Sequence, residues 1–284
     1  MSAEHTSSPR TICITGASRG IGAAIARELA APERHLVLIA RRADALQELA
    51  RELETQGATA EVLAADLSDA EDLRRVCDSL ASRPDDPIDT IVLNAGYSTN
   101  TDFADSEAAV REYEMRLNYF APTEILHSVL PDMRTRQRGR ILATGSLTAL
   151  VPFPGNANYA GSKGALLSFL RSLAGEVRSY GITITSVLPG LVRTKMTRDL
   201  SAPLLWMVPS QGPADVAREV ARYLDRGPAV VIPGPANALL SVIFQLFPDA
   251  GNLLVDILGP WLVPRPAQDQ AKPTAAGEQT SAST

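Results

Sequence analysis

The sequence predicts an α/β fold: a single doubly wound parallel sheet of about seven strands with helices on both faces. Three observations predict it. Short apolar or β-branched runs alternate with amphipathic segments of helical spacing over the first two-thirds of the chain. The runs are nearly continuous in hydrophobicity, which suits strands covered on both sides. No repeat or linker interrupts the alternation before residue 264, so one domain is expected. Strand–helix alternation sustained over this length builds a parallel sheet.

The elements follow in order. T-I-C-I-T (11–15) opens the sheet and 21–31 is the first helix. H-L-V-L-I-A (35–40) is the second strand. In the helix at 43–56, Leu46, Leu49, Ala50 and Leu53 make one stripe, charged residues fill the other face and Gly57 ends it. A-E-V-L-A-A (60–65) leads into a helix at 69–82, and I-D-T-I-V-L (88–93) into a long helix at 106–133. R-I-L-A-T (140–144) precedes a helix at 158–180; I-T-I-T-S-V-L (182–188) and A-V-V-I (229–232) are the last strands. Together 10–235 form the main body. Residues 236–263 are an apolar helical extension of it, which Pro248 and Asp249 interrupt short of the roughly 20 apolar residues of a membrane span. The extension can cap the domain, form a subunit interface, wall the substrate pocket or lie on a membrane surface. The scarcity of flanking Lys and Arg counts against the last. Residues 1–9 are expected to be flexible and 264–284, rich in Ala, Gln, Thr, Ser and Pro, to be a disordered tail.

Composition narrows the function. The 284-residue chain is 45% hydrophobic, enough for a substantial core, and its net charge of −5 argues against nucleic acid as a partner. Cys13 and Cys77 lie far apart, without disulfide or zinc spacing. His5, His35 and His127 are scattered, so no metal site is expected. The N-terminus lacks the apolar region of a secretory signal, and a cytoplasmic location is expected.

T-G-A-S-R-G-I-G (15–22) joins the first strand to the first helix. Gly16 permits a tight turn, and Gly22 allows the helix to pack closely on the strand. The helix N-terminus offers free N–H groups to a pyrophosphate, which points to a dinucleotide. L-I-A-R-R (38–42) ends the second strand, where an NAD site carries an acid for the ribose 2′-OH. Here Arg41 and Arg42 follow Ala40, and guanidinium groups suit the 2′-phosphate of NADP, with Arg19 as a second source of charge. NADP(H) is therefore favoured over NAD(H). A-D-L-S (65–68) and L-N-A-G (93–96) close the third and fourth strands on the rim where such sheets bind ligands. Asp66 can accept from an adenine amino group, and Asn94, Ala95 and Gly96 can let backbone approach the cofactor. Taken singly, each is also an ordinary strand-ending turn.

N-A-N-Y-A-G-S-K-G-A (156–165) sets Tyr159 and Lys163 four apart, on one helix face, among small residues. Such a pair is either a plain surface pair or a proton donor tuned by a fixed charge. A free tyrosine has a pKa of about 10, and an ammonium beside it favours the phenolate. Ser146 lies upstream after the fifth strand, and Asn118 lies in the helix at 106–133.

In these motifs the chain resembles the short-chain dehydrogenase/reductase family, in its single-domain branch, over roughly residues 10–235. The carriers are T-G-A-S-R-G-I-G, N-A-G, the set Asn118, Ser146, Tyr159 and Lys163, and P-G at 189–190. The resemblance implies a Rossmann-type sheet and a hydride transfer between a nicotinamide cofactor and a carbonyl or alcohol. It makes Tyr159 the proton donor and Ser146 the residue that orients the substrate oxygen. Lys163 lowers the phenol pKa and holds the nicotinamide ribose. Asn118 distorts its helix and supports a water leading to Lys163. Ser18, Ile21 and Leu67 join the cofactor wall, and Thr194, after Pro189 and Gly190, contacts the carboxamide. Family members pair as homodimers or homotetramers through the helices at 106–133 and 158–180.

Substrate choice is expected in 97–104, 147–157 and 191–213. Phe153, Leu191, Met196, Leu204, Leu205, Trp206 and Met207 would make an apolar pocket for a hydrophobic ketone. A membrane-surface reductase of a lipid carbonyl and a catalytically silent NADP-binding regulator are the alternatives.

Overall fold

The computed structural model describes residues 11–194, 197, 210–225 and 227–262. Seven parallel strands form one sheet: β1 (Thr11–Thr15), β2 (His35–Ala40), β3 (Thr59–Ala64), β4 (Thr90–Leu93), β5 (Gly139–Thr144), β6 (Ile182–Val187) and β7 (Val230–Val231). Their order is β3-β2-β1-β4-β5-β6-β7. The order reverses between β1 and β4, paired in register from Ile12–Thr90 to Ile14–Val92. A crevice therefore opens beyond the carboxyl ends of those two strands.

Alternation along each strand divides the core into two layers. Ile12, Ile14, Leu36 and Leu38 pack with Leu46, Leu49 and Leu53 of α2 (Ala43–Glu54) and with Ile25 and Leu29 of α1 (Gly20–Leu29). Cys13, Val37, Ile39 and Ile91 point the other way, onto α3 (Ala70–Ala81), α5 (Ala121–Thr135) and α6 (Ala157–Val177). The strands are thus buried on both faces, as their unbroken hydrophobicity demands.

Two helical regions differ from expectation. The segment expected as one helix at 106–133 is α4 (Ala108–Met115), a π-helical turn (Arg116–Phe120) and α5. Pro122 has no N–H, so the Asn118 carbonyl loses its α-helical partner, and the Ala121 N–H reaches back to the Arg116 carbonyl. Sequence periodicity also left α7 (Pro213–Arg222) unassigned. Its signals were present: Pro213 at the first turn, the Asp215 carboxylate accepting the Gly212 N–H, and a stripe of Val216, Ala217 and Val220 that packs toward α1. The apolar C-terminal stretch folds as α8 (Pro235–Leu246) and α9 (Pro248–Leu262), broken at Phe247–Pro248. No helix among the described residues is long and apolar enough to cross a membrane.

Candidate active site and cofactor crevice

The crevice, of about 330 Å³, is walled by three turns that follow β1, β2 and β4, by the end of β3 and by Thr194. Gly16 and Gly20 hold φ of 68° and 58°, the left-handed region that glycine enters without strain. A Cβ on Gly22 would lie 2.3 Å from the Gly16 carbonyl oxygen, so only glycine lets α1 start this close to β1. The Asn94 amide staples the turn by donating to the Thr15 carbonyl at 3.0 Å, while Thr15 Oγ1 accepts from the N–H groups of Asn94 and Ala95. The Asn94 side chain therefore shapes the loop. Ser18, Arg19, Ile21, Ala95, Gly96 and Leu67 line the crevice. Ala40, Ala65, Tyr113 and Leu117 line it too, without having been singled out from sequence.

At the far end stand the arginines. Arg41 donates to the Tyr113 hydroxyl at 3.1 Å and lies 3.5 Å from Asp66. Asp66 also accepts from the N–H and hydroxyl of Ser68, so it is engaged within its own turn. Arg42 bonds the Ser18 carbonyl at 3.3 Å and is otherwise exposed. Pro189 and Gly190 support the site from outside the crevice wall. The Pro189 carbonyl accepts the Leu147 N–H, and Gly190 packs against the buried Asn237 of α8, where a Cβ would come within 2.7 Å.

The four residues named for chemistry do not line the crevice itself; Lys163 and Asn118 stand behind its wall at Gly96, and Tyr159 and Ser146 adjoin Lys163. Ser146 hydrogen-bonds Tyr159, and its Oγ accepts from the hydroxyl of Thr148 at 2.9 Å. Lys163 Nζ lies 5.8 Å from the centre of the Tyr159 ring. Asn118, 1% exposed, accepts the Tyr97 N–H and donates to the Tyr97 carbonyl and to Ser162. Gly96 connects this corner to the crevice: a Cβ there would sit 3.2 Å from Lys163 Nζ and 3.3 Å from Asn118 Oδ1.

Burial dominates the protonation of the pair. It pushes the Tyr159 phenol up to about 12, against the pull of the Ser146 hydrogen bond and with a further push from Glu114. It draws the Lys163 ammonium down to about 8. Burial is thus the largest influence on the phenol within the protein, and it holds Tyr159 protonated near neutrality.

A dinucleotide fits this donor set. The Lys163 ammonium is 4% exposed yet makes one long hydrogen bond among the described residues, to the Thr144 carbonyl at 3.4 Å. Such a group calls for further acceptors, and ribose hydroxyls supply them. The glycine turn and the helix N-terminus suit the pyrophosphate.

The comparisons agree with the geometry. The family model described as short chain dehydrogenase matches residues 10–204. The chain belongs to the short-chain dehydrogenase family. It is 32% identical to a fatty acyl-CoA reductase of Acinetobacter baylyi over 246 residues, 86% of this chain and 82% of that protein. Among solved structures, a short-chain dehydrogenase from Sphingobium yanoikuyae in complex with NADPH aligns with a TM-score of 0.74 and 30% identity. That alignment covers 92% of this chain and 98% of the other. The bulky-bulky ketone specific alcohol dehydrogenase from Comamonas testosteroni gives 0.72 and 28%, covering 86% and 94%. As a short-chain dehydrogenase, the protein is an NAD(P)-dependent oxidoreductase acting on a small molecule.

Leu191 and Phe153, expected in the substrate pocket, are half-buried. Met196, Leu204, Leu205, Trp206 and Met207 lie outside the described residues. Sequence reading missed Thr148, Ser162 and Glu114. Glu114 had one signal, its place four residues before Asn118.

Proposed function

We propose that the protein is an NADP(H)-dependent reductase that turns a hydrophobic ketone or aldehyde into an alcohol. The observation that carries this is the meeting of Tyr159, Ser146 and Lys163 behind Gly96, at the end of the glycine-walled crevice. Ser146 holds the substrate oxygen and Tyr159 delivers a proton to it. Lys163 and the backbone around Gly96 hold the nicotinamide ribose, with Asn118 fixing that backbone through Tyr97. The bound nicotinamide supplies the hydride. A phenol kept protonated by burial suits the reductive direction, which the reduced cytoplasmic NADP pool would also drive.

Preference for NADP(H) is supported by the missing acid after β2 and by the exposed Arg42 and Arg19 beside Ser18. Arg42→Ala is expected to raise KM for NADPH about tenfold and leave that for NADH unchanged. The apolar substrate class draws support from the relatives named for a fatty acyl-CoA and for bulky ketones. The deciding experiment is an NADPH-oxidation screen over carbonyl compounds of graded chain length and polarity, run beside NADH. Turnover only on small polar carbonyls would overturn the substrate class. NADPH binding without turnover on any of them would favour a silent regulator.

One observation favours a membrane-surface variant of this reading. Leu239, Val242, Leu246 and Phe247, with Leu253 and Ile257 of α9, form an exposed apolar face. Flotation with phosphatidylcholine vesicles tests it: co-flotation that Leu246→Ser with Phe247→Ser abolishes would support it, and sedimentation of the unaltered protein would reject it. Self-association through α5 and α6 belongs to the same reading and is checked by light scattering.

A further inference from the structure

Glu114 of α4 is fully buried, at 0% exposure, with a carboxylate that the chemistry above does not use. A buried carboxylate is costly unless its oxygens are bonded. Here its partners lie in the loop after β4 and in the first turn of α6. Oε1 accepts from the backbone N–H and, at 2.9 Å, from the hydroxyl of Thr99, in the loop after β4. Oε2 accepts from the Asn158 amide, which also donates to the Arg111 carbonyl of α4 at 3.3 Å. Asn158 precedes Tyr159 in the first turn of α6. One side chain therefore joins three elements, and two of them carry the proton donor and the loop expected to meet substrate.

We propose that Glu114 is a positioning residue for the reaction: its carboxylate clamps Thr99 and Asn158 together and so fixes the first turn of α6, which carries Tyr159. This role presupposes Tyr159 as proton donor. Asn118 already ties Tyr97 of this loop to Ser162, further along α6; Glu114 adds the tie that reaches the first turn, through Asn158. Three neutral donors satisfy the carboxylate. Among the described residues, the charged and titratable groups at this corner are Lys163 on α6, Glu114 on α4 and Tyr97 in the loop after β4; beyond Tyr97 stand Tyr113 of α4, edge-on to it at 5.1 Å, and Arg41. The negative charge opposes ionisation of Tyr159 and of Tyr97 alike.

The test compares Glu114→Gln, Glu114→Asp and Asn158→Ala in the full chain, with NADPH and a carbonyl substrate, across pH. Glu114→Gln turns one acceptor into a donor facing the Asn158 amide. It is expected to lower kcat about tenfold while the Kd for NADPH changes less than twofold. It also removes the like charge, so the alkaline limb of the reduction profile should move down by about half a pH unit. Glu114→Asp keeps the charge, so its limb should stay in place. Asn158→Ala keeps the carboxylate and breaks one tie; it is expected to lose activity without moving the limb, and it decides the matter if Glu114→Gln does not fold. A kcat within twofold of the unaltered protein for Asn158→Ala would overturn the clamp, and so would a loss with no change of pH limb in a folded Glu114→Gln. Tyr159→Phe, run alongside, separates the two claims: full turnover in that variant refutes the proton donor itself, whereas a dead Tyr159→Phe beside a normal Glu114→Gln refutes only the clamp.

Discussion

The two ends of the sheet treat buried charge in opposite ways. At the amino-terminal edge, the Arg83 side chain is 12% exposed and bonds both Glu61 and Asp86 at 2.8 Å. His35 stands 3.5 Å from Glu61, and Thr11 donates to Asp86. Both carboxylates there share the one Arg83 guanidinium. At the carboxyl edge, the Lys163 ammonium is more deeply buried and has only the long bond to Thr144 among the described residues. A partly exposed ion cluster with its partners in place contributes modestly to stability. A buried cation left short of acceptors destabilises the fold and is kept where a ligand completes it.

The sharpest way to break this comparison is at the carboxyl edge. Tyr159→Phe should lower kcat by about 10³-fold or more while NADPH still quenches protein fluorescence with nearly unchanged affinity. A large loss of binding instead would make Tyr159 a structural residue of the crevice.

Lys163→Met sharpens the contrast further, since it should remove turnover and yet raise stability. Thermal or urea denaturation near pH 7 should show a gain on the order of 2 kcal/mol, because a buried ammonium is replaced by an apolar chain of similar size. The sign follows from its depressed pKa. With a folded value of about 8 against an ordinary 10.5, the unfolded chain binds more protons between those pH values. Stability of the unaltered protein should therefore rise across that window, and the advantage of the variant should shrink.

At the opposite edge the expected pattern inverts. Arg83→Ala should cost about 1–2 kcal/mol in the same denaturation assay and leave kcat unchanged. A loss of activity in a folded Arg83→Ala would mean that the two ends are coupled.

The smallest effect is the acid response of this edge. Burial alone would raise the Glu61 and Asp86 carboxyls, but hydrogen bonds from Arg83, with Thr11 at Asp86 and His35 at Glu61, hold both below their ordinary 4.5 and 3.8. The stability they contribute is complete above those values and is lost as pH falls through the lower folded ones. Arg83→Ala should flatten that acid limb of the stability curve.

Much of the site was legible in the sequence because its residues act through local backbone geometry. Gly16, Gly20 and Gly22 announce a turn that only glycine can make, and Tyr159 and Lys163 share a face because a helix puts residues four apart together. Glu114 and Thr148 were scarcely legible: Glu114 stands one turn before Asn118, on the same helix face, but nothing local shows that it is buried or that it reaches Thr99 and Asn158. The π-helical turn was half legible: Pro122 stood in the sequence, but a proline in a long amphipathic run also fits an ordinary kink.

By itself, then, the order of the residues determined the parallel sheet, both faces of its core, the crevice over β1 and β4 and the shared helix face of Tyr159 and Lys163. These depend on period, turn chemistry and short spacings, which the chain carries along its own length. Only the tertiary structure decided that Arg41 turns to Asp66, that Asn94 staples the glycine loop, and that burial raises the phenol of Tyr159. Those outcomes depend on which distant groups share a low-dielectric space, and that is a property of the packed molecule.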